Sequence, residues 1–200
     1  MEQDKPIGII LCGGESSRMG IDKSQINYHG VSQREHLRKL LGPFCSPVLY
    51  SIGKQQEEDE STFSDLPEFM GHGPISGLLS IHHYFPNRDV LLIGCDYPLI
   101  KQMDLHQLID NQKEELDAIC YASGITKRPE PLLTYYSASF CDHIHTEFTR
   151  GEYSLKRILD KAKTLKLEID DPLRLISADS PEHARRVRQI IQAGFDTFEA

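Results

Sequence analysis

The densest collection of phosphate-binding chemistry in the 200 residues is LCGGESSRMGIDK, Leu11 to Lys23. Gly13 and Gly14 carry no β-carbon, so their backbone N–H groups can approach an anion closely. Ser16 and Ser17 add hydroxyl donors. Arg18 supplies a planar, permanently charged fork, and Lys23 a compact ammonium on a flexible stem. No Gly-Lys-Ser/Thr ends the segment and the glycines stand at 13, 14 and 20, which removes the Walker A and G-x-G-x-x-G readings. On residue types alone, a triphosphate-binding turn and a solvated glycine-rich turn both remain open.

A second candidate is Asp96, which follows the apolar run Val90 to Cys95 and precedes Tyr97-Pro98. The proline turns the chain away from a sheet and leaves a carboxylate at a strand's end. Such a hard oxygen ligand suits Mg²⁺, and an aspartate here could equally cap the following turn. Lys127 and Arg128, before Pro129-Glu130-Pro131, could receive an acceptor phosphate or lie solvated. The nine histidines include no H-E-x-x-H or similar spacing, which speaks against zinc.

These groups need a frame to hold them. Ile7 to Cys12 and Val90 to Cys95 are apolar without alternation, the pattern of central strands covered on both faces. Val48 to Ile52 and Ala118 to Ala122 are further strands. Helical stretches fall at Gln33 to Leu41, Ile75 to Tyr84, and Leu105 to Glu115 with Asp104 as N-cap. The alternation predicts an α/β fold: a Rossmann-like, doubly wound, mostly parallel sheet with helices on both faces, in a single domain over residues 1–200. Ligands of such sheets sit at the carboxyl ends of the strands, where Gly13 and Asp96 fall. The second half reads as a strand Leu132 to Tyr136, helices Ser139 to Thr149 and Ser154 to Lys163, and a strand around Leu173 to Ser177. A last helix opens with Ser180 as N-cap, then Pro181 and Glu182. Gln55 to Asp65 reads as an acidic solvated loop.

Composition narrows the partners. A formal net charge of −8 argues against broad nucleic-acid binding, which needs cations to replace counterions along phosphates. No apolar stretch is long enough to span a bilayer, and no basic n-region precedes an apolar segment, so no membrane and no secretory signal are expected. Five cysteines without close pairing fit neither a disulfide framework nor a zinc site and predict a reducing cytoplasm.

The loop matches LxGGxSxRMGxDK, the signature of nucleotidyltransferases, at Leu11, Gly13, Gly14, Ser16, Arg18, Met19, Gly20, Asp22 and Lys23. GPISGL, GCDYPL, PEPLL and GEYSLKRIL follow in order, at 73–78, 94–99, 129–133 and 151–159. On these segments the chain resembles the molybdenum cofactor guanylyltransferase family over most of its length. The resemblance implies Mg²⁺-dependent transfer of GMP from GTP to the terminal phosphate of a molybdopterin-type cofactor, releasing pyrophosphate. A molybdoenzyme or its chaperone would be the protein partner. It assigns catalysis to Arg18, Lys23 and Asp96, nucleotide contacts to Leu11, Cys12, Gly13, Gly14 and Lys23, and both metal and nucleotide to Asp96. Ser51 stands where the family has an asparagine, and Asp65 or Glu68 stands for an acidic nucleotide contact.

The pattern departs near the C-terminus. The family's N-x-N-T-P-E is replaced by Ser177, Ala178, Asp179, Ser180, Pro181 and Glu182. Asp179 is then a second metal carboxylate or a residue flanking the helix cap. The alternatives left by the sequence are transfer from CTP or to another phosphate acceptor, and a non-catalytic carrier of nucleotide or cofactor.

Overall fold

The computed structural model describes residues 5–13, 22–53, 59–122 and 127–198. A seven-stranded sheet forms its middle: β1 (Ile7–Leu11), β2 (Val48–Ile52), β3 (Thr62–Ser64), β4 (Val90–Gly94), β5 (Ala118–Ala122), β6 (Pro129–Tyr136) and β7 (Thr164–Leu167). Their order is β3-β2-β1-β4-β6-β5-β7. All neighbours are parallel except β6, which runs antiparallel to β4 and β5.

The unbroken apolar character of β1 and β4 has a direct cause. Strand side chains alternate between faces, and here both faces are covered. Ile10, Leu91 and Ile93 pack in one core with α1 (Gln33–Leu41) and α3 (Gln102–Asp110), through Leu37, Leu40, Leu105 and Leu108. Ile7, Ile9, Val90 and Leu92 pack in the other with α2 (Pro74–Tyr84), α4 (Ala138–Thr149) and α5 (Leu155–Lys161). A smaller cluster seats α6 (Pro181–Gln192) through Ala184 and Val187 on Ile26, Tyr28 and Leu99.

The order of strands fixes where the two halves part. From β1 the chain builds outward through β2 and β3, then returns to lay β4 on the other side of β1, with Leu11 level with Gly94. A reversal of this kind opens a crevice beyond the carboxyl ends of β1 and β4. Because β6 runs the opposite way, with Leu133 paired to Ile93, its first residues reach the same crevice.

Several elements differ from the sequence expectation. Residues 62–64 of the expected acidic loop form β3, which borrows its hydrogen bonds from the edge of β2 and is only half-buried, so no apolar run marks it. The strand expected around residues 173–177 is instead a 3₁₀ turn, Pro172–Leu175, capped by the Asp171 carboxylate on Leu173 N–H at 3.0 Å. The last strand is β7, half-buried beside β5. Asp104 is not the N-cap of α3, which begins after Lys101 and ends at Asp110. Its carboxylate reaches back to the Lys101 N–H at 2.8 Å and forms a buried ion pair with Arg174 at 2.6 Å. The expected Ser180 cap is present, accepting from His183 N–H at 3.2 Å.

Candidate active site

Beyond the ends of β1, β2 and β4 lies an open cavity of about 540 Å³. Leu11, Cys12 and Gly13 line it from β1, Ser51 to Gly53 from β2, Gly94 to Asp96 from β4, and Leu132 from β6. Lys23, Asp65 and the turn into α2, with Gly71, Gly73, Pro74 and Gly77, complete the wall. Of the residues singled out in the sequence, Leu11, Cys12, Gly13, Lys23, Ser51, Asp65 and Asp96 are therefore brought to one place. Gly14 and Arg18, with Ser16 and Ser17, lie outside the described residues. Between the two acidic candidates of the third strand region, Asp65 lines the cavity, whereas the Glu68 carboxylate lies 3.9 Å from His83 Nδ1.

Backbone geometry explains several of these identities. Cys12 and Gly13 both donate their N–H to the Ser51 carbonyl, at 2.8 and 3.0 Å, so β1 stays against β2 where the loop departs. A β-carbon at position 13 would come within 3.2 Å of the Gly53 nitrogen. Lys23 opens a short 3₁₀ turn, Lys23–Gln25, held by the Asp22 carboxylate on Ser24 N–H at 2.9 Å. Gly77 lets α2 press onto the strand ends, since a β-carbon there would stand 2.9 Å from both Leu11 Cδ2 and Ser51 Oγ. Gly77 lies inside the GPISGL motif, whose sequence alone does not mark it as part of the site.

Asp96 is held on two sides. A β-carbon on Gly94 would lie 2.5 Å from Asp96 Oδ1, so only glycine leaves the carboxylate its position over the end of β4. Ser177 donates its hydroxyl to Asp96 Oδ2 at 2.6 Å, and the Ala178 N–H donates to the Asp96 carbonyl at 2.8 Å. Asp179 is turned elsewhere, with Oδ1 on His183 Nδ1 at 2.7 Å, and it is not among the residues lining the cavity. Behind Asp96, Tyr97 donates its hydroxyl to Glu130, a second carboxylate the sequence did not single out. Burial raises the Glu130 pKa, and the Lys156 charge partly offsets this.

Electrostatics limit the chemistry available. Burial pushes the Cys12 thiol up to about 12 and the Cys95 thiol well above its ordinary value, so both are neutral near pH 7 and neither is a nucleophile. Burial likewise raises the Asp65 pKa, a charged form kept in a place that disfavours it. N–H donors on a bound ligand would relieve that penalty. Lys127 and Arg128 are not in the cavity wall: Lys127 pairs with Glu168 at 2.6 Å and Arg128 with Asp160 at 3.1 Å. The wall thus offers a hard carboxylate and an ammonium near the β1–β4 reversal, and a half-buried acid with Ser51 toward β2 and α2. An elongated anion with a polar planar end matches that distribution. Asp96, whose Oδ2 accepts a hydrogen bond from Ser177, is a hard oxygen donor of the kind a divalent cation prefers. Among the described residues no three His, Cys, Asp or Glu side chains cluster as a complete cation site.

Known proteins resemble this chain in sequence and in fold. The family model described as a MobA-like NTP transferase domain matches residues 8–166. A Synechocystis protein named "Molybdenum cofactor biosynthesis bifunctional protein" is 28% identical over 179 residues, covering 88% of this chain and 51% of that protein. This chain therefore spans about half the length of that relative. A Bacillus cereus protein named "Probable molybdenum cofactor guanylyltransferase" is 27% identical over 163 residues, covering 78% of this chain and 80% of the other. Among solved structures, molybdopterin-guanine dinucleotide biosynthesis protein A from Archaeoglobus fulgidus superposes with a TM-score of 0.75 at 19% identity. The match covers 94% of this chain and 99% of that one, and it carries the fold.

Proposed function

The chain belongs to the family of MobA-like NTP transferase domains, and from that premise we propose that it transfers GMP from GTP to the terminal phosphate of a molybdopterin-type cofactor, releasing pyrophosphate. Residues 1–200 are taken as one nucleotidyltransferase domain. The observation that carries the reading is the convergence of Gly13, Lys23, Asp65 and Asp96 on a single cavity at the strand reversal.

The acceptor phosphate is already a nucleophile, so no general base is needed. The protein's task is to align two anions in line and to offset the charge that builds at the α-phosphate. Gly14 offers its backbone N–H to the phosphates, Gly13, whose own N–H is held by the Ser51 carbonyl, leaves room for their close approach, and Arg18 and Lys23 neutralise them. Leu11 and Cys12 contact the nucleotide beside them. Asp65 and Ser51 face the base: a carboxylate accepts the adjacent ring and amino N–H donors of guanine, a pair cytosine does not present. Asp96 would hold Mg²⁺, which would supply Lewis-acid neutralisation of the phosphate oxygens. Asp179 would have to give up His183 to join it. The five free thiols agree with a reducing cytoplasm, where a molybdoenzyme or its chaperone would receive the product.

Incubation with each NTP, Mg²⁺ and the molybdopterin-type acceptor, with pyrophosphate as readout, tests the proposal. Release with GTP and only in the presence of acceptor is the expected result. Release with CTP instead would move the chain to another base, and release with a different phosphate acceptor would reassign its substrate. GTP binding without pyrophosphate under any acceptor would make it a carrier.

A further inference from the structure

The Asp96 carboxylate is gripped from a part of the chain 81 residues away. Ser177 Oγ donates to Oδ2 at 2.6 Å, while the neighbouring Ala178 N–H takes the Asp96 carbonyl at 2.8 Å. Side chain and main chain of the same residue are thus fixed by two consecutive residues. The Ser177–Asp179 segment is itself tied down, because His183 Nδ1 lies 3.1 Å from the Ser177 carbonyl and 2.7 Å from Asp179 Oδ1. His183 sits in the first turn of α6, which Ser180 caps and Ala184 and Val187 anchor against Tyr28 and Leu99. On the opposite side the missing β-carbon of Gly94 leaves room for Oδ1.

We infer that Ser177 is a positioning residue for the reaction proposed above: its bond to Oδ2 fixes the plane of the Asp96 carboxylate and so sets the direction in which it is presented to the divalent cation. A freely rotating carboxylate could meet the ion in several directions, and the ion's distance to the phosphates would vary among them. A carboxylate bonded through one oxygen is held in one plane, and outer partners of metal ligands act through such orientation. The inference rests on Asp96 being the cation ligand, and the test separates the two claims.

Mn²⁺ binding to the full chain with a non-hydrolysable GTP analogue is followed by electron paramagnetic resonance, beside turnover as a function of Mg²⁺. Ser177→Ala should weaken Mn²⁺ binding about tenfold and raise the Mg²⁺ concentration for half-maximal rate by a similar factor. The KM for GTP at saturating Mg²⁺ should change less than threefold. Ser177→Thr, which keeps the hydroxyl, should restore most of the cation affinity. Ser177→Cys, nearly equal in volume with a weaker donor, should fall between them and serves if the alanine variant melts early by circular dichroism. Wild-type cation binding abolished by Asp96→Ala but unchanged in Ser177→Ala would overturn the role of Ser177 alone. Wild-type binding insensitive to Asp96→Ala would overturn both claims, as would its absence. Failure of Ser177→Thr to restore affinity would also reject the hydroxyl as the cause.

Discussion

At the scale of single residues, Asp96 is kept in place by neighbours that are not themselves reactive, Ser177 and Gly94. In the proposed reaction Lys23 and Asp96 supply fixed charge where the transition state develops it, so Lys23→Ala and Asp96→Ala should each lower turnover at least about a hundredfold with the melting temperature little changed. Near-normal pyrophosphate release from either would reject the assignment. Asp65→Asn keeps size and removes an acceptor, so KM for GTP should rise about tenfold or more with kcat less affected, read from initial rates over a GTP series. The same side chain gives a pH signature. Its pKa is raised by burial, so as pH falls through that elevated value the accepting carboxylate is lost and GTP affinity should drop, whereas Asp65→Asn should bind GTP with a flatter profile.

Elements hold these residues by close approach rather than by extra bonds. Gly77 is where α2 meets the ends of β1 and β2, and a methyl group there would intrude on Leu11 and Ser51 by geometry alone. Gly77→Ala should therefore raise KM for GTP severalfold and reduce stability by about 1–3 kcal/mol, as overpacking does; equilibrium urea unfolding beside nucleotide titration separates the two effects. The Asp104–Arg174 pair ties α3 to the 3₁₀ turn that precedes the Ser177 segment, with both side chains almost wholly buried. Arg174→Ala leaves the Asp104 carboxylate buried with its charge partner gone, and a loss of about 3–5 kcal/mol in urea unfolding is expected.

Over the whole molecule, the described part of the C-terminus closes the fold onto its beginning. Gln102 N–H donates to the Thr197 carbonyl at 2.8 Å, and Thr197 Oγ1 meets His36 Nε2 of α1 at 3.1 Å. His36 stacks on His29 at 3.7 Å. Burial, aided by the His29 and Lys39 charges and opposed by Asp196, lowers the His36 pKa from 6.5 to about 3. The folded state then takes up this proton less readily than the unfolded chain. Stability from this group is complete above about pH 6.5 and is lost as pH falls toward 3, by at most about 1.4 kcal/mol per pH unit. Urea midpoints measured between pH 7 and 5 should decline, and His36→Gln should shallow that decline.

Local chemistry wrote much of this into the sequence. β1, β4 and their flanking helices were legible because strands buried on both faces must be apolar throughout, and Asp96 because a proline two residues on ends the strand beside it. β3 and β7 were not, since half-buried edge strands take their order from a neighbour's hydrogen bonds and need no apolar run of their own. For the loop Leu11 to Lys23, phosphate binding was by residue type and spacing only one of two readings, and it was the match to a family signature, with the later motifs following in order, that singled it out. What only the tertiary structure decided is which groups meet across the crevice: Asp65 rather than Glu68 in the wall, Asp179 on His183, and Ser177 on Asp96. Those contacts depend on strand order and on the seat of α6, and pairings between residues 81 positions apart leave no local pattern to read.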